Sequence, residues 1–298
     1  MKNIIKASLV VLVLVFAGCA TADRGNFPQM VMDDLGNSWE NSYDIIDTSK
    51  EDTNIPKPPI KNITVVERFE VKAGGCSGQD CGHERNNGGW GDRERKELKV
   101  DPHKRDTHKG SEYWYTWSIY FPKDFKSIAP AQSTAGQFHS KGAGTDVYYM
   151  FVEWNGGYRI KVPYKGMKND GYIIPQGQLY GKWHTIVIHA KWDDAKNGGF
   201  FRVYVDGNIK YKDDNIYFQG RPYFKYGIYR SHISRYKTNL KNKMLMEMPT
   251  NPTDRDYEIL KSDPITPTQV VYYSNVRRAN TKEGLKLSKE ILSKMPTK

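Results

Sequence analysis

"RPYFKYGIYRS", residues 221–231, is the stretch on which the fold turns. Side chains alternate between the two faces of a strand. Phe224, Tyr226 and Ile228 therefore share one face, and Tyr223, Lys225, Gly227 and Tyr229 share the other. The first row is built for a core. The second carries an ammonium, a gap and phenols where an outward face would carry several solvated side chains, and it reads as a floor on which something lies.

Short alternating runs of the same kind recur from Ile63 onward, among them "YWYTWSIYF", "VYYMFVEW", "WHTIVIHAKW", "FFRVYVDGNIKY" and "TQVVYYSNV". Turn signals separate them, including Asp206-Gly207 inside a hairpin pattern. Many strands with few helical patterns predict an all-β antiparallel sandwich, a concanavalin A-like β-jelly roll, over residues 61–280. The basic, then Pro-rich stretch 232–266 reads as a long loop. Residues 281–298, with "TKEGLKLSKEILSKM", read as a short surface helix and tail.

The start of the chain sets the compartment. "MKNIIKASLVVLVLVFAGCATAD" places Lys2 and Lys6 before an apolar run that is too short to span a bilayer. Gly18-Cys19 follows, so residues 1–18 resemble a bacterial lipoprotein signal that leaves Cys19 as the lipidated first residue. The other reading is an ordinary signal peptide with an incidental Cys. Residues 19–60 are polar, ending in "DTSKEDTNIPKPP", and are expected to form a flexible tether. The expected location is the bacterial cell envelope, lipid-anchored, or the exterior. The net charge of +11 favours an anionic partner. Export argues against nucleic acid, leaving an acidic polysaccharide and a membrane met only through the anchor. A monomer is expected. Cys76 and Cys81, in "GGCSGQDCGH", are expected to close a small disulfide loop in an oxidising compartment. The alternative, a zinc site with His83, lacks ligands.

Two further stretches repeat the pattern of the floor strand. In "GDRERKELKV" Arg93, Arg95 and Glu97 share a face, and in "AGQFHSK" Gln137 and His139 share one. Each alone is more often a solvated face or a cross-strand ion pair. Together they suit β-elimination on a uronate. Arg95 and Gln137 would neutralise the sugar carboxylate, on which charge builds in the transition state. His139 would take the C5 proton, and Tyr229 would protonate the leaving oxygen. Lys225 would lower the pKa of that phenol and hold the polymer, while Gly227 would leave room for a sugar ring. Arg93, Lys141 and Tyr223 complete the substrate-binding set. The reaction requires no cofactor or metal, and no ligand cluster in the sequence supports a structural calcium ion.

"RKEL" (95–98), "QFH" (137–139) and "YFKYGIY" (223–229) resemble, in order, the signature strands of jelly-roll polysaccharide lyases, including alginate lyases. "DRERKEL", the Cys pair before it and "GKWHTIVIHAKW…VYVDG" are similar to the heparin lyase I-like and glucuronan lyase branch. The resemblance spans Val65 to Arg278. It implies a concave cleft sheet with Arg95, Gln137, His139 and Tyr229 at the catalytic positions, and an acidic polymer of the alginate, glucuronan or heparin type as substrate. Ser231 stands where alginate lyases carry a polar amide, and Asn275 where related chains carry an acid.

Two rivals differ in kind. A jelly-roll glycoside hydrolase needs paired carboxylates, often Glu-x-Asp on one strand, and no Glu here has an Asp two residues on. A non-catalytic carbohydrate-binding sandwich would use aromatics such as Trp90, Trp114 and Trp154, and Lys225, without needing His139 and Tyr229 together. Of the remaining histidines, His184 and His189 fall on opposite faces and at least one is structural. His103 and His108 are expected in solvent. Lys237, Lys241 and Lys243 are read as a basic loop or an extension of the cleft.

Overall fold

Two seven-stranded antiparallel sheets stack face to face. In the computed structural model, residues 22–33, 42–50, 54–76, 80–81, 91–141, 147–165, 171–218 and 220–296 are described. The first sheet runs β1 (Met30–Met32), β4 (Arg93–Val100), β13 (Arg221–Ser231), β6 (Gln132–Lys141), β7 (Val147–Trp154), β8 (Gly157–Lys161) and β9 (Gly171–Ile174). The second runs β12 (Asn208–Asp213), β11 (Phe200–Val205), β10 (Trp183–Trp192), β5 (Ser111–Tyr120), β14 (Gln269–Ala279), β3 (Val65–Val71) and β2 (Tyr43–Asp47). This is the expected jelly-roll sandwich. Phe224, Tyr226 and Ile228 lie in its core with Phe69, Trp117, Phe138 and Tyr273. The Phe224 ring packs 5.0 Å from that of Trp117 across the gap between the sheets. Asp206 and Gly207, both at positive φ, close the β11–β12 hairpin as read from the sequence.

The segment 19–60 is not a simple tether. Met30–Met32 pairs with β4 and Tyr43–Asp47 with β3, so this segment adds one edge strand to each sheet. Apolar contacts and charge both hold it, with Phe27, Met30, Met32 and Tyr43 packed on the core. The guanidinium of Arg24 bonds the buried Glu67 carboxylate at 2.7 and 3.0 Å, and Tyr43 and Tyr226 donate to the same group at 2.7 Å. Asp33 answers cations on β4 and β13. A buried charge stays only when paired, and the segment supplies the partners.

The stretch 232–266 also departs from the loop reading. It contains helices α1 (Ile233–Met246) and α2 (Asp254–Lys261). Thr253 and Asp256 form a reciprocal capping box on α2. The start of α1 is held by Asp92, which accepts from the Ser234 amide and hydroxyl, each at 2.7 Å. That cap comes from far along the chain, so the basic sequence of α1 carries no local start signal. Within 281–298 the expected helix is the short α3 (Lys289–Lys294), preceded by a 3₁₀ turn at Glu283–Leu285. Leu285, Leu287 and Met295 cover Trp114 on the outer face of the second sheet. Trp114 is thus a packing residue, stacked on His189 with ring centres 3.8 Å apart. His184 is the structural histidine of its pair, buried and bonded to the Gln178 carbonyl at 3.0 Å. His103 and His108 are exposed.

Candidate active site

The outer face of β4, β13 and β6 forms the floor of a cleft of about 450 Å³. Register brings the three sequence motifs together. Tyr229 stands opposite Arg95, Lys225 opposite Gln137, and Tyr223 opposite His139. Arg93, Arg95, Gln137, His139, Tyr223, Lys225 and Tyr229 all line this one cleft. The backbone of Lys141 ends β6 opposite Arg221. Its side chain, like Cys19, His83 and Trp90, lies outside the described residues.

Gly227 does a different job from the one expected. At φ +130° its missing side chain would project into β4, where a Cβ would come 2.3 Å from the Lys96 carbonyl oxygen and 2.9 Å from the Phe69 ring. The pairing of β13 with β6 breaks between Lys225 and Tyr229, and Gly136 across from it also has a positive φ. The Gly227 and Ala135 carbonyls each lie 2.7 Å from the buried Tyr273 hydroxyl. The glycine therefore permits a bulge, not an opening for a sugar.

Three carboxylates neutralise the site's cations, and of these the sequence pattern puts only Glu97 on this face. Arg95 makes a two-point bond to Asp80 at 2.5 and 2.7 Å, with Asp33 at 3.4 Å and Glu97 at 3.7 Å from Nη1. Lys225, only 3% exposed, sits 2.5 Å from Asp33 and 3.0 Å from Glu97. Lys99 bonds Asp33 at 2.5 Å. Gln137 donates from Nε2 to Glu97 at 2.7 Å. Asp80 adjoins Cys81, and the Cys76–Cys81 disulfide is formed. The cystine thus fixes the residue that orients Arg95. Burial by itself would push the Lys225 ammonium down, but Glu97 and Asp33 hold it up and charged.

The two acid–base candidates are poised oppositely. Burial, then repulsion from Lys225, lowers His139 to about 3, so its imidazole is neutral at neutral pH. Burial raises Tyr229, against the opposing pull of Arg93 and Arg95, so its phenol keeps its proton. Lys225 is not the residue that offsets that burial. The Arg95 guanidinium lies 4.6 Å and that of Arg93 5.7 Å from the Tyr229 ring centre. The depressed His139 has a consequence for stability. Between pH 6.5 and about 3 the unfolded chain binds a proton that the folded chain refuses, so stability is full above 6.5 and falls as pH drops through that window. The thermal midpoint of the wild type should fall more steeply there than that of His139→Gln, and equal slopes would contradict the assignment.

Of the other positions singled out in the sequence, Asn275 proves structural. Asn275 holds a positive φ and donates to the Leu285 carbonyl at 3.0 Å, which accounts for an amide there. Ser231 and His232 line the cleft. Lys237 is bonded to Asp263 at 2.5 Å beside a second, polar cavity that shares Asp80 and Arg93 with the cleft. Among the described residues no group of three or more His, Cys, Asp or Glu side chains is arranged to hold a metal ion.

A β-jelly-roll sandwich with a polar cleft across one of its sheets is the class of protein that the fold defines. The chain belongs to the polysaccharide lyase family, whose model matches residues 52–277, and it is a polysaccharide lyase. A comparison with curated proteins found no match. Similar solved structures include a variant of the family 7 alginate lyase A1-II′ with a bound substrate, at 12% identity and TM-score 0.43 over 72% of this chain and 77% of that one. An alginate lyase from Pseudomonas aeruginosa is 16% identical, with TM-score 0.42 over 72% of this chain and 82% of that one. One from Alteromonas sp. 272 is 14% identical, with TM-score 0.40 over 80% and 93%.

Proposed function

We propose that the chain cleaves an acidic, uronate-containing polysaccharide by β-elimination in the β4–β13–β6 cleft. The neutral His139 takes the C5 proton. The C5–H electron pair becomes the C4–C5 double bond, and the C4–O glycosidic bond breaks. Tyr229 gives its proton to the leaving oxygen, and the resulting phenolate is held beside Arg93 and Arg95 until the proton on His139 returns through solvent. Charge that builds on the uronate carboxylate is met by the loosely held Nη1 of Arg95, the second amide hydrogen of Gln137 and the Lys225 ammonium. The observation that carries this reading is the strand register that sets Arg95, Gln137, His139 and Tyr229 side by side on one cleft floor. His139 and Tyr229 also argue against a purely binding role, which would not need them.

An ultraviolet assay of the exported chain on polymannuronate, polyguluronate, glucuronan, heparin and a neutral glucan tests the proposal, because elimination leaves an absorbing unsaturated uronate. Rising absorbance on an acidic polymer, lost in His139→Ala, is the expected result. A flat trace with retained polymer binding would favour a binding module. We also infer export and lipidation at Cys19 from the N-terminal sequence, which would place the enzyme at the cell envelope. Incorporation of labelled palmitate that persists in Cys19→Ala would contradict the anchor.

A further inference from the structure

The cleft continues past Tyr229. A second cavity, of about 390 Å³, adjoins it and shares Asp80 and Arg93 with it. Arg93 joins the two. It stands opposite Ser231 at the end of β13, and its guanidinium lies 5.7 Å from the Tyr229 ring centre. A polymer that crosses the cleft floor past Tyr229 therefore meets this cavity next. The start of β4, from Asp92 to Glu94, lines it, with Gly74 and the Cys76–Cys81 disulfide on one side and α1 on the other.

A helix that lies against a protein normally turns an apolar stripe inward. In α1 only Ile233 is buried. Its polar residues on the cavity are Ser234, Lys237, Thr238 and Lys241, a row at the i, i+3, i+4 and i+7 spacing of one helix face. The acids around this row are already answered. Asp80 bonds Arg95, and Asp92 holds the start of α1. Glu94 pairs with Arg230 and accepts from the Gly74 amide at 2.6 Å, and Asp263 takes Lys237. Lys241, half-buried on the same row, has no hydrogen-bond or ion-pair partner among the described residues. The cavity thus offers an unspent ammonium beside the Ser234 and Thr238 hydroxyls, both on exposed residues.

We propose that this cavity is a further subsite for the polymer, in which the Lys241 ammonium binds the carboxylate of an acidic sugar beyond the reacting bond, on the Tyr229 side. A lysine in a site open to water adds modest affinity. The α1 wall therefore acts by lengthening the stretch of polymer that is gripped, and not on the bond that breaks. This rests on the uronate reading above and adds a dependence on chain length to it.

The test compares wild type, Lys241→Gln and Lys241→Glu on size-fractionated oligosaccharides of the acidic polymer that the wild type cleaves, from the shortest one cleaved upward. The thermal midpoints of the variants should match that of the wild type, because the side chain has no partner to lose. On the longest oligosaccharides KM should rise about 3- to 10-fold in Lys241→Gln, and further in Lys241→Glu, with kcat little changed. On the shortest one all three should agree within about twofold. Lys243→Gln controls for net charge, since Lys243 is on α1 but lines neither cavity and pairs only loosely with the exposed Glu247. It should behave as the wild type at every length. An unchanged KM in Lys241→Gln on long chains, an equal penalty at all lengths, or the same penalty in Lys243→Gln would overturn the subsite. A wild type inactive on every acidic polymer would instead overturn the uronate reading, and the subsite with it.

Discussion

Tyr229→Phe should lower kcat by about 10²- to 10⁴-fold while leaving the fold intact, the range expected when a positioned general acid is removed. The substitution is clean for a structural reason. No described residue makes a hydrogen bond to the Tyr229 phenol oxygen, whereas the ring is packed, 9% exposed, under Arg95 and Arg93. Phenylalanine keeps that ring and drops only the proton that the leaving oxygen needs. Stability should therefore shift by less than about 1 kcal/mol. A variant retaining more than a tenth of wild-type kcat would remove Tyr229 from the acid role. A variant that unfolds would show that the phenol has an unsuspected structural partner.

Lys225→Met is expected to act mainly on stability. The ammonium lies between Asp33 and Glu97 and is 3% exposed. Methionine fills a similar volume but leaves the buried Glu97 with only Gln137 and the more distant Arg95, and Asp33 with Lys99 and Arg95. Breaking a buried pair from one side costs about 3–5 kcal/mol, which urea unfolding would read as a lower midpoint at similar slope. Adding Glu97→Gln to the same chain should restore part of the loss, because the buried charge left with the weakest partner goes with it. A loss below about 1 kcal/mol for the single variant would mean that solvent reaches the cluster and the pairing is not what holds it.

How much of the fold and the site was legible follows from where each signal sits. The two faces of residues 221–231 are a property of strand geometry and adjacent residues, and Phe224, Tyr226 and Ile228 are in the core as that rule requires. The same rule brought Gln137 with His139 and Arg93 with Arg95. It failed at Gly227, because the direction of a bulged residue depends on what pairs across from it. Two of the neutralising acids, Asp33 and Asp80, were missed for a related reason. Asp33 lies in a segment whose composition resembles a tether, and the core and buried charges of other strands explain why that segment is drawn into both sheets. Asp80 had a local clue in its place beside Cys81, since a cystine holds its neighbours still. The helix α1 was invisible because its cap, Asp92, comes from another part of the chain.

Elimination and hydrolysis are separated most cleanly by turnover of the acidic polymer in heavy-oxygen water, with the new chain ends analysed by mass spectrometry. Elimination breaks the C4–O bond without adding water, so the expected ends are unsaturated and carry no heavy oxygen. Saturated ends carrying heavy oxygen would mean hydrolysis, and would contradict the base role of His139 and the acid role of Tyr229.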